Sequence, residues 1–125
     1  MTAFRLSATV LGTPDPRGLG GFYEELLGWE RVSDEPDWVM LRPASGGAGL
    51  SFQLETEHVP PVWPSGPGDQ QMQAHLDIGV DDLEGGAASA LQLGAVLAEH
   101  QPQDDVRVLI DPAGHPFCLF ASPQS

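Results

Sequence analysis

One pattern of local signals occurs twice in this chain, and it limits the folds that the chain can adopt. In the first copy, a short apolar strand at residues 8–12 precedes Asp15, a candidate helix N-cap. In the second, an alternating strand at 75–80 precedes Asp81 and Asp82, and either of them can cap a helix. Asp15 corresponds to Asp82, 67 residues later. The chain is therefore predicted to contain two half-copies of one structural module.

Both predicted helices carry start and stop signals. Pro16 suits the first helical position because that position needs no backbone N–H donor. Gly28 and Gly94 can each adopt the left-handed conformation that ends a helix. The first helix has an apolar face formed by Phe22, Tyr23, Leu26 and Leu27. Glycines within it weaken its intrinsic stability by up to about 1 kcal/mol each, so we expect packing against a sheet to stabilise it.

Three further strands follow each predicted helix. They are residues 30–32, 38–41 and 50–54 in the first half, and 96–99, 106–110 and 117–120 in the second. The order is strand, helix and three strands, twice. This predicts an α+β fold of two βαβββ modules, at about residues 1–57 and 72–125, joined by a loop at 58–71.

Composition narrows the class of protein further. The chain has 125 residues, of which 41% are hydrophobic, so we predict one domain over residues 1–125. No apolar run reaches the roughly 20 residues that cross a bilayer, and no leader pattern opens the chain, so a cytoplasmic location is expected. Cys118 is the lone cysteine, which excludes an internal disulfide. A net charge of −13 makes nucleic acid and membranes poor partners.

The motifs that carry a family resemblance lie at residues 15–29, 75–83 and 111–117. In this order they resemble the vicinal-oxygen-chelate superfamily of glyoxalases, bleomycin-resistance proteins and dioxygenases. The Val-Pro-Pro-Val-Trp-Pro loop at 59–64 and the Phe-Cys-Leu segment at 117–119 are most similar to actinobacterial glyoxalase-like domain proteins. The resemblance implies a cupped mixed sheet with helices on its outer face, a pocket for a small molecule, and a homodimer.

Alternation along the strands assigns side chains to two faces. The helices are expected to lie on the apolar rows Leu50, Phe52, Leu54 and Leu76, Ile78, Val80. The predicted ligand-binding residues on the opposite face are Trp38, Met40, Gln53, His75, Asp77, Cys118 and Phe120, beside Ala8. An apolar wall with a few polar groups is typical of a small-molecule site. The alternative is a face turned to solvent or to a partner subunit.

The connection between the half-modules, residues 55–74, is rich in proline and glycine. Loops of this length without secondary structure are usually functional in a compact domain. We predict that it folds over the pocket mouth and places Trp63 against the ligand. Packing of Trp63 into the core is the alternative.

The resemblance also implies where a metal would bind. The positions that supply ligands in metal-dependent members fall on Ala8, Gln53, His75 and Cys118. Because Ala8 has no donor atom, we favour a small-molecule binding protein without a metal, and the sequence leaves the identity of any cofactor open. The alternative is a metal-dependent lyase, isomerase or dioxygenase in which Gln53, His75 and Cys118 hold a divalent metal.

His75 is also a candidate catalytic residue, because imidazole titrates near neutral pH and can act as a general base. Asp77 shares its face, at a spacing of about 7 Å along the strand, so a direct hydrogen bond between them is not assured. Cys118 is a candidate nucleophile if His75 lowers its pKa, and otherwise a small buried hydrophobe. Whether the chain is an enzyme is left open by these residues.

Overall fold

The computed structural model describes residues 2–122, and the chain divides into two compact units after His58. Each unit contains one strand, one helix and then three strands. The predicted α+β fold with two βαβββ modules is therefore confirmed. No helix among residues 2–122 has the length and apolar character needed to span a bilayer.

The first unit is a four-stranded mixed sheet with one helix. Its elements are β1 (Ala8–Thr13), α1 (Pro16–Leu27), β2 (Glu30–Glu35), β3 (Trp38–Arg42) and β4 (Gly49–Leu54). The strand order is β1-β4-β3-β2, with β1 parallel to β4 and the other neighbours antiparallel. The α1 helix connects β1 to β2 at the opposite edge of the sheet, and a long connection of this kind is what parallel strands in one sheet require.

The second unit repeats this arrangement. Its elements are β5 (Leu76–Val80), α2 (Leu83–Leu93), β6 (Val96–Leu97), β7 (Val106–Ile110) and β8 (Pro116–Ala121). The strand order is β5-β8-β7-β6, and β5 is parallel to β8. The corresponding strands of the two units therefore occupy corresponding places in their sheets.

Two predicted strand boundaries in the second unit are wrong. The strand β5 begins at Leu76, so His75 precedes it, and β6 ends at Leu97 instead of continuing to residue 99. Beyond Leu97, the Gln101 side chain makes part of the hydrogen bonding that would otherwise join the two strands. The Gln101 amide donates to the carbonyl oxygens of Ala98 (2.8 Å) and Val108 (2.9 Å), and its oxygen accepts from the Val108 N–H.

The helix caps show the repeat at atomic detail. The Asp15 carboxylate accepts from the N–H of Gly18 at 3.0 Å, and the Asp82 carboxylate accepts from that of Gly85 at 3.1 Å. Asp82 is therefore the cap of α2, and Asp81, the other candidate, is not. The carboxylate of residue 84 accepts from the Arg107 guanidinium at 2.7 Å. As predicted, left-handed glycines at 28 and 94 end the two helices.

The core of each unit lies between its helix and its sheet. Fully buried side chains on these faces are Tyr23, Val39, Leu41 and Phe52 in the first unit, and Ala90, Leu109, Phe117 and Leu119 in the second. Gly20 lets α1 lie close to β3, because a Cβ there would stand 2.7 Å from a methyl of Val39. The predicted division into two faces is confirmed within each sheet. Leu54, at the end of its row, is 38% exposed.

Candidate functional site

The second sheet carries a mixed polar and apolar surface on the side away from its core. We call this surface the site face; its residues are His75, Asp77, Val106, Val108, Cys118 and Phe120. Strand pairing places Cys118 between Asp77 and Val108, and Phe120 opposite Val106. Paired residues project to the same side of a sheet. The alternate residues of β8, Phe117 and Leu119, point into the core.

Two cavities open onto the site face. One has a volume of about 190 Å³ and a mainly apolar wall. Its lining consists of Trp63, Met72, His75, Pro102, Gln103, Val106, Val108, Pro116 and Cys118. The other, of about 340 Å³, shares part of this lining and adds Asp77 and Phe120. The second unit therefore brings together five residues that the sequence predicted for the site: Trp63, His75, Asp77, Cys118 and Phe120.

Trp63 reaches this cavity from the loop that follows His58. Its indole Nε1–H donates to the carbonyl oxygen of His100 at 3.4 Å. The centroids of the Trp63 indole and the His100 imidazole are 6.1 Å apart, and the two ring planes are tilted by 47°. Within the loop, the Val62 N–H donates to the Gln70 carbonyl at 2.7 Å. Trp63 is half-buried in the cavity wall. That it contacts a ligand remains a prediction.

His75 and Asp77 are in direct contact. The His75 Nε2 lies 3.0 Å from Asp77 Oδ1, with both side chains partly exposed to solvent. The expectation of a separation of about 7 Å is wrong, because that value describes the backbone spacing, and long side chains lean along the strand direction. The Asp77 carboxylate thus engages Nε2 of the imidazole, and Nδ1 is the nitrogen that can interact with a ligand.

Cys118 is held as a thiol. Partial burial raises its pKa, and the negative charge of Asp77 and a hydrogen bond to that carboxylate raise the pKa further. The hypothesis that His75 activates Cys118 as a nucleophile by lowering its pKa is therefore wrong. Asp77 sits beside both groups and favours the protonated sulfur.

We expect Cys118 to react slowly with iodoacetamide. Only the thiolate reacts, so a raised pKa lowers the rate at pH 8 below that of an unstructured cysteine peptide. Replacing Asp77 with asparagine removes the nearby charge but leaves the burial. The rate should therefore rise by a few-fold, because loss of the Asp77 charge lowers the pKa of the thiol and increases the thiolate fraction at pH 8. An Asp81→Asn variant serves as the control, and a wild-type rate equal to that of the peptide would contradict the prediction.

The other predicted site residues lie in the first unit. Trp38 is paired with Gln53 across β3 and β4, and Met40 is paired with Ser51. The Gln53 amide donates to the Glu55 carboxylate at 2.9 Å. Trp38 and Met40 are half-buried, whereas Gln53 is exposed. These residues share one face of the first sheet, as the alternation predicted.

Sequence reasoning missed several residues of both units. Met72 and Gln103 line the cavity but lie in loops, where no periodicity marks them. Ser51 is fully buried, and its hydroxyl has no hydrogen-bond partner among the residues that the structure describes. Alternation placed Ser51 on the same face as Gln53 but could not show its burial. His115 follows the turn at residues 112–114, and its N–H donates to the Asp111 carboxylate at 2.9 Å.

The metal-ligand set that the superfamily resemblance implies does not fit this chain. Ala8 ends in a methyl group, and the amide nitrogen of Gln53 is engaged by Glu55. His75 and Cys118 do carry donor atoms, but both are in contact with Asp77, which is not one of the four positions. The four-position set is incomplete, so no metal-dependent step follows from it.

Solved structures with this fold cover nearly the whole chain. A glyoxalase/bleomycin resistance protein/dioxygenase family enzyme from Burkholderia phytofirmans PsJN has a TM-score of 0.70 at 18% identity, covering 94% of this chain and 98% of its own. The bleomycin-binding protein of Streptomyces verticillus, solved with copper(II)-bleomycin, has a TM-score of 0.62 at 17% identity, covering 98% and 99%. A lactoylglutathione lyase from Agrobacterium tumefaciens has a TM-score of 0.63 at 16% identity, covering 98% and 97%. At these identities the likeness shows the fold alone.

Sequence comparison gives the family. None of the curated proteins matches the chain. The family model described as a glyoxalase-like domain matches residues 8–120, which include every strand and helix except the last residue of β8. The chain therefore belongs to the glyoxalase-like domain family.

Proposed function

We propose that this protein binds a small, partly aromatic or hydrophobic organic molecule at the site face, and that binding requires no metal. The observation that carries the proposal is the cavity of about 190 Å³ that Trp63 and Met72 line together with residues of the site face. Its wall is apolar except for a few polar side chains, which is the usual construction of a small-molecule site. One protein of the same fold binds bleomycin, which supports a binding role.

The polar groups indicate what such a molecule carries. Asp77 is a hydrogen-bond acceptor beside the cavity, and His75 Nδ1 can accept from the ligand when the imidazole is neutral. Among the described residues that line the two cavities there is no arginine or lysine. The chain as a whole carries a net charge of −13. A neutral or cationic molecule with a hydrogen-bond donor therefore fits better than an anion.

The test is a thermal-shift screen of neutral and cationic aromatic compounds in the presence of EDTA. A compound at 100 times its Kd stabilises the protein by about 2.7 kcal/mol, which raises Tm by several degrees. For any compound found, Trp63→Ala should weaken binding at least about tenfold, because the variant loses one large wall of the cavity. Calorimetric titration measures this Kd.

Val59→Ala is the matched control for the loop. Val59 is 60% exposed in the same loop and does not line either cavity, so its removal should leave Kd unchanged. Binding that disappears in EDTA, or that persists at full strength in Trp63→Ala, would contradict the proposal.

An enzyme is the second candidate, and the contact between His75 and Asp77 favours it. A carboxylate 3.0 Å from Nε2 holds the imidazole in one orientation, and an oriented imidazole can act as a general base through Nδ1. Turnover of an identified ligand that is lost in His75→Ala, and retained in EDTA, would favour His75 acting alone.

A further inference from the structure

Three side chains of different chemistry converge on the site face. His75, Asp77 and Cys118 each offer one donor atom, and these three atoms lie within 4.8 Å of one another. The imidazole and the thiol both contact the same carboxylate. Asp77 comes from the middle of β5 and is paired directly with Cys118 of β8, so the backbone ladder determines the separation of two of the three groups.

We propose that His75, Asp77 and Cys118 form a binding site for one thiophilic divalent cation, such as Zn²⁺. This site differs from the ligand set of the superfamily, because it includes Asp77 and uses neither Ala8 nor Gln53. It goes beyond the proposed function, which requires no metal. A cation bound here would occupy part of the space that an organic ligand uses.

The spacing of the donor atoms suits such a cation. Zinc binds nitrogen and oxygen at about 2.0–2.2 Å and sulfur at about 2.3 Å, which places tetrahedral ligands about 3.4–3.8 Å apart. The 3.0 Å between His75 and Asp77 is slightly shorter than that range, and no two of the three donor atoms are more than 4.8 Å apart. All three side chains border open space, so small rotations are sufficient to bring the donors to it.

A cation that binds in this cluster replaces the protons that its donor atoms carry. Asp77 Oδ1 lies 3.0 Å from His75 Nε2, and the ligand atoms of the three residues lie within 4.8 Å of one another. On binding, the sulfur–hydrogen bond breaks, its proton passes to solvent, and the thiolate electron pair forms the bond to the metal. The imidazole coordinates through Nε2 as the neutral tautomer, so the Nε2 proton passes to solvent and Nδ1 carries the one ring proton. Oxidation states do not change in this exchange.

The donor set also selects the type of cation. A thiolate with an imidazole favours zinc, cobalt or cadmium, whereas magnesium and calcium prefer oxygen ligands alone. No positive side chain lines the cavities in the described part of the chain, and Asp77 contributes negative charge. Three protein ligands beside a cavity leave a fourth position for water or another small ligand.

Cobalt(II) is the probe for this site, because its thiolate complexes absorb by charge transfer. The metal-free full chain, kept reduced with a phosphine and free of any organic ligand, is titrated with Co²⁺. We expect a 1:1 complex with a thiolate-to-cobalt band and intense visible bands typical of tetrahedral geometry. Zn²⁺ should displace the cobalt, and a large excess of Mg²⁺ should not.

Variants identify the ligands. Cys118→Ser should lose the charge-transfer band, while His75→Gln and Asp77→Asn should each weaken binding at least about tenfold. Asp81→Asn is the matched control, since Asp81 follows the end of β5 and is not one of the three residues of the cluster. Gln53→Ala should also bind cobalt as the wild type does. Circular dichroism confirms that each variant is folded.

Two results would overturn the proposal. The first is the absence of a charge-transfer band in the wild type at saturating cobalt. The second is unchanged affinity in Asp77→Asn, or a tenfold loss in Gln53→Ala, either of which assigns binding to a different set of donors. Because the titration contains no organic compound, neither result bears on the proposed function, which the thermal-shift screen tests separately.

Discussion

Replacing Phe52 with alanine is expected to lower the free energy of unfolding by about 3–5 kcal/mol. Phe52 is fully buried between β4 and α1, and its ring stacks on that of Tyr23 at a centroid distance of 5.8 Å and an interplanar angle of 15°. Val39 is its partner across the sheet. Truncation removes this burial and leaves a cavity, because the helix and the sheet on either side cannot close completely.

The measurement is urea-induced unfolding followed by circular dichroism. Phe4→Ala is a matched control, since Phe4 is 92% exposed and its loss should change stability by no more than about 0.5 kcal/mol. Phe52→Leu should fall between the two, because it restores part of the lost volume. An unfolding free energy for Phe52→Ala within 1 kcal/mol of the wild type, on the order of a surface substitution, would show that this core is not as the structure describes it.

Gly114→Ala is expected to destabilise the second unit and to open its cavity. Gly114 has a φ of 92°, in the left-handed region, and a Cβ there costs about 1–2 kcal/mol. The added carbon would also stand 2.6 Å from Cβ of Pro60. Pro60 lies in the loop that carries Trp63, so the substitution should displace this loop from the turn at residues 111–114 and expose Cys118.

Gly46→Ala separates the two effects. Gly46 also has a positive φ, 85°, but an added Cβ there meets no atom within 4 Å. Both variants should therefore lose about 1–2 kcal/mol of unfolding free energy from backbone strain, and only Gly114→Ala should show faster alkylation of Cys118. Equal alkylation rates in the two variants would show that the contact between Pro60 and Gly114 does not hold this loop in place.

The predictable part of the fold depends on signals that act within a few residues. Asp15 and Asp82 cap their helices because a carboxylate can reach an N–H three residues on, whatever the rest of the chain does. The left-handed glycines at 28 and 94 end both helices for a similarly local reason. Alternation along a strand has a period of two residues, so the faces of β3, β4 and β8 could be read directly. These signals also predicted the two modules.

The site was only partly predictable. Trp63, His75, Asp77, Cys118 and Phe120 were assigned to it from the strand faces and the loop, and the structure places all five at the two cavities of the second unit. The chemistry among them was not predictable. Asp77 holds His75 and raises the pKa of Cys118, which reverses the role that the sequence suggested for the thiol.

The sequence by itself determined the order of the elements, the caps and the side of each sheet on which a residue lies, because these follow from backbone geometry over short distances. Only the tertiary structure decided which side chains touch. Met72 and Gln103 reach the cavity from loops, and a loop's path depends on contacts between residues far apart in the chain, such as Pro60 with Gly114. The distance between His75 and Asp77 likewise depends on side-chain rotation, which no strand pattern specifies.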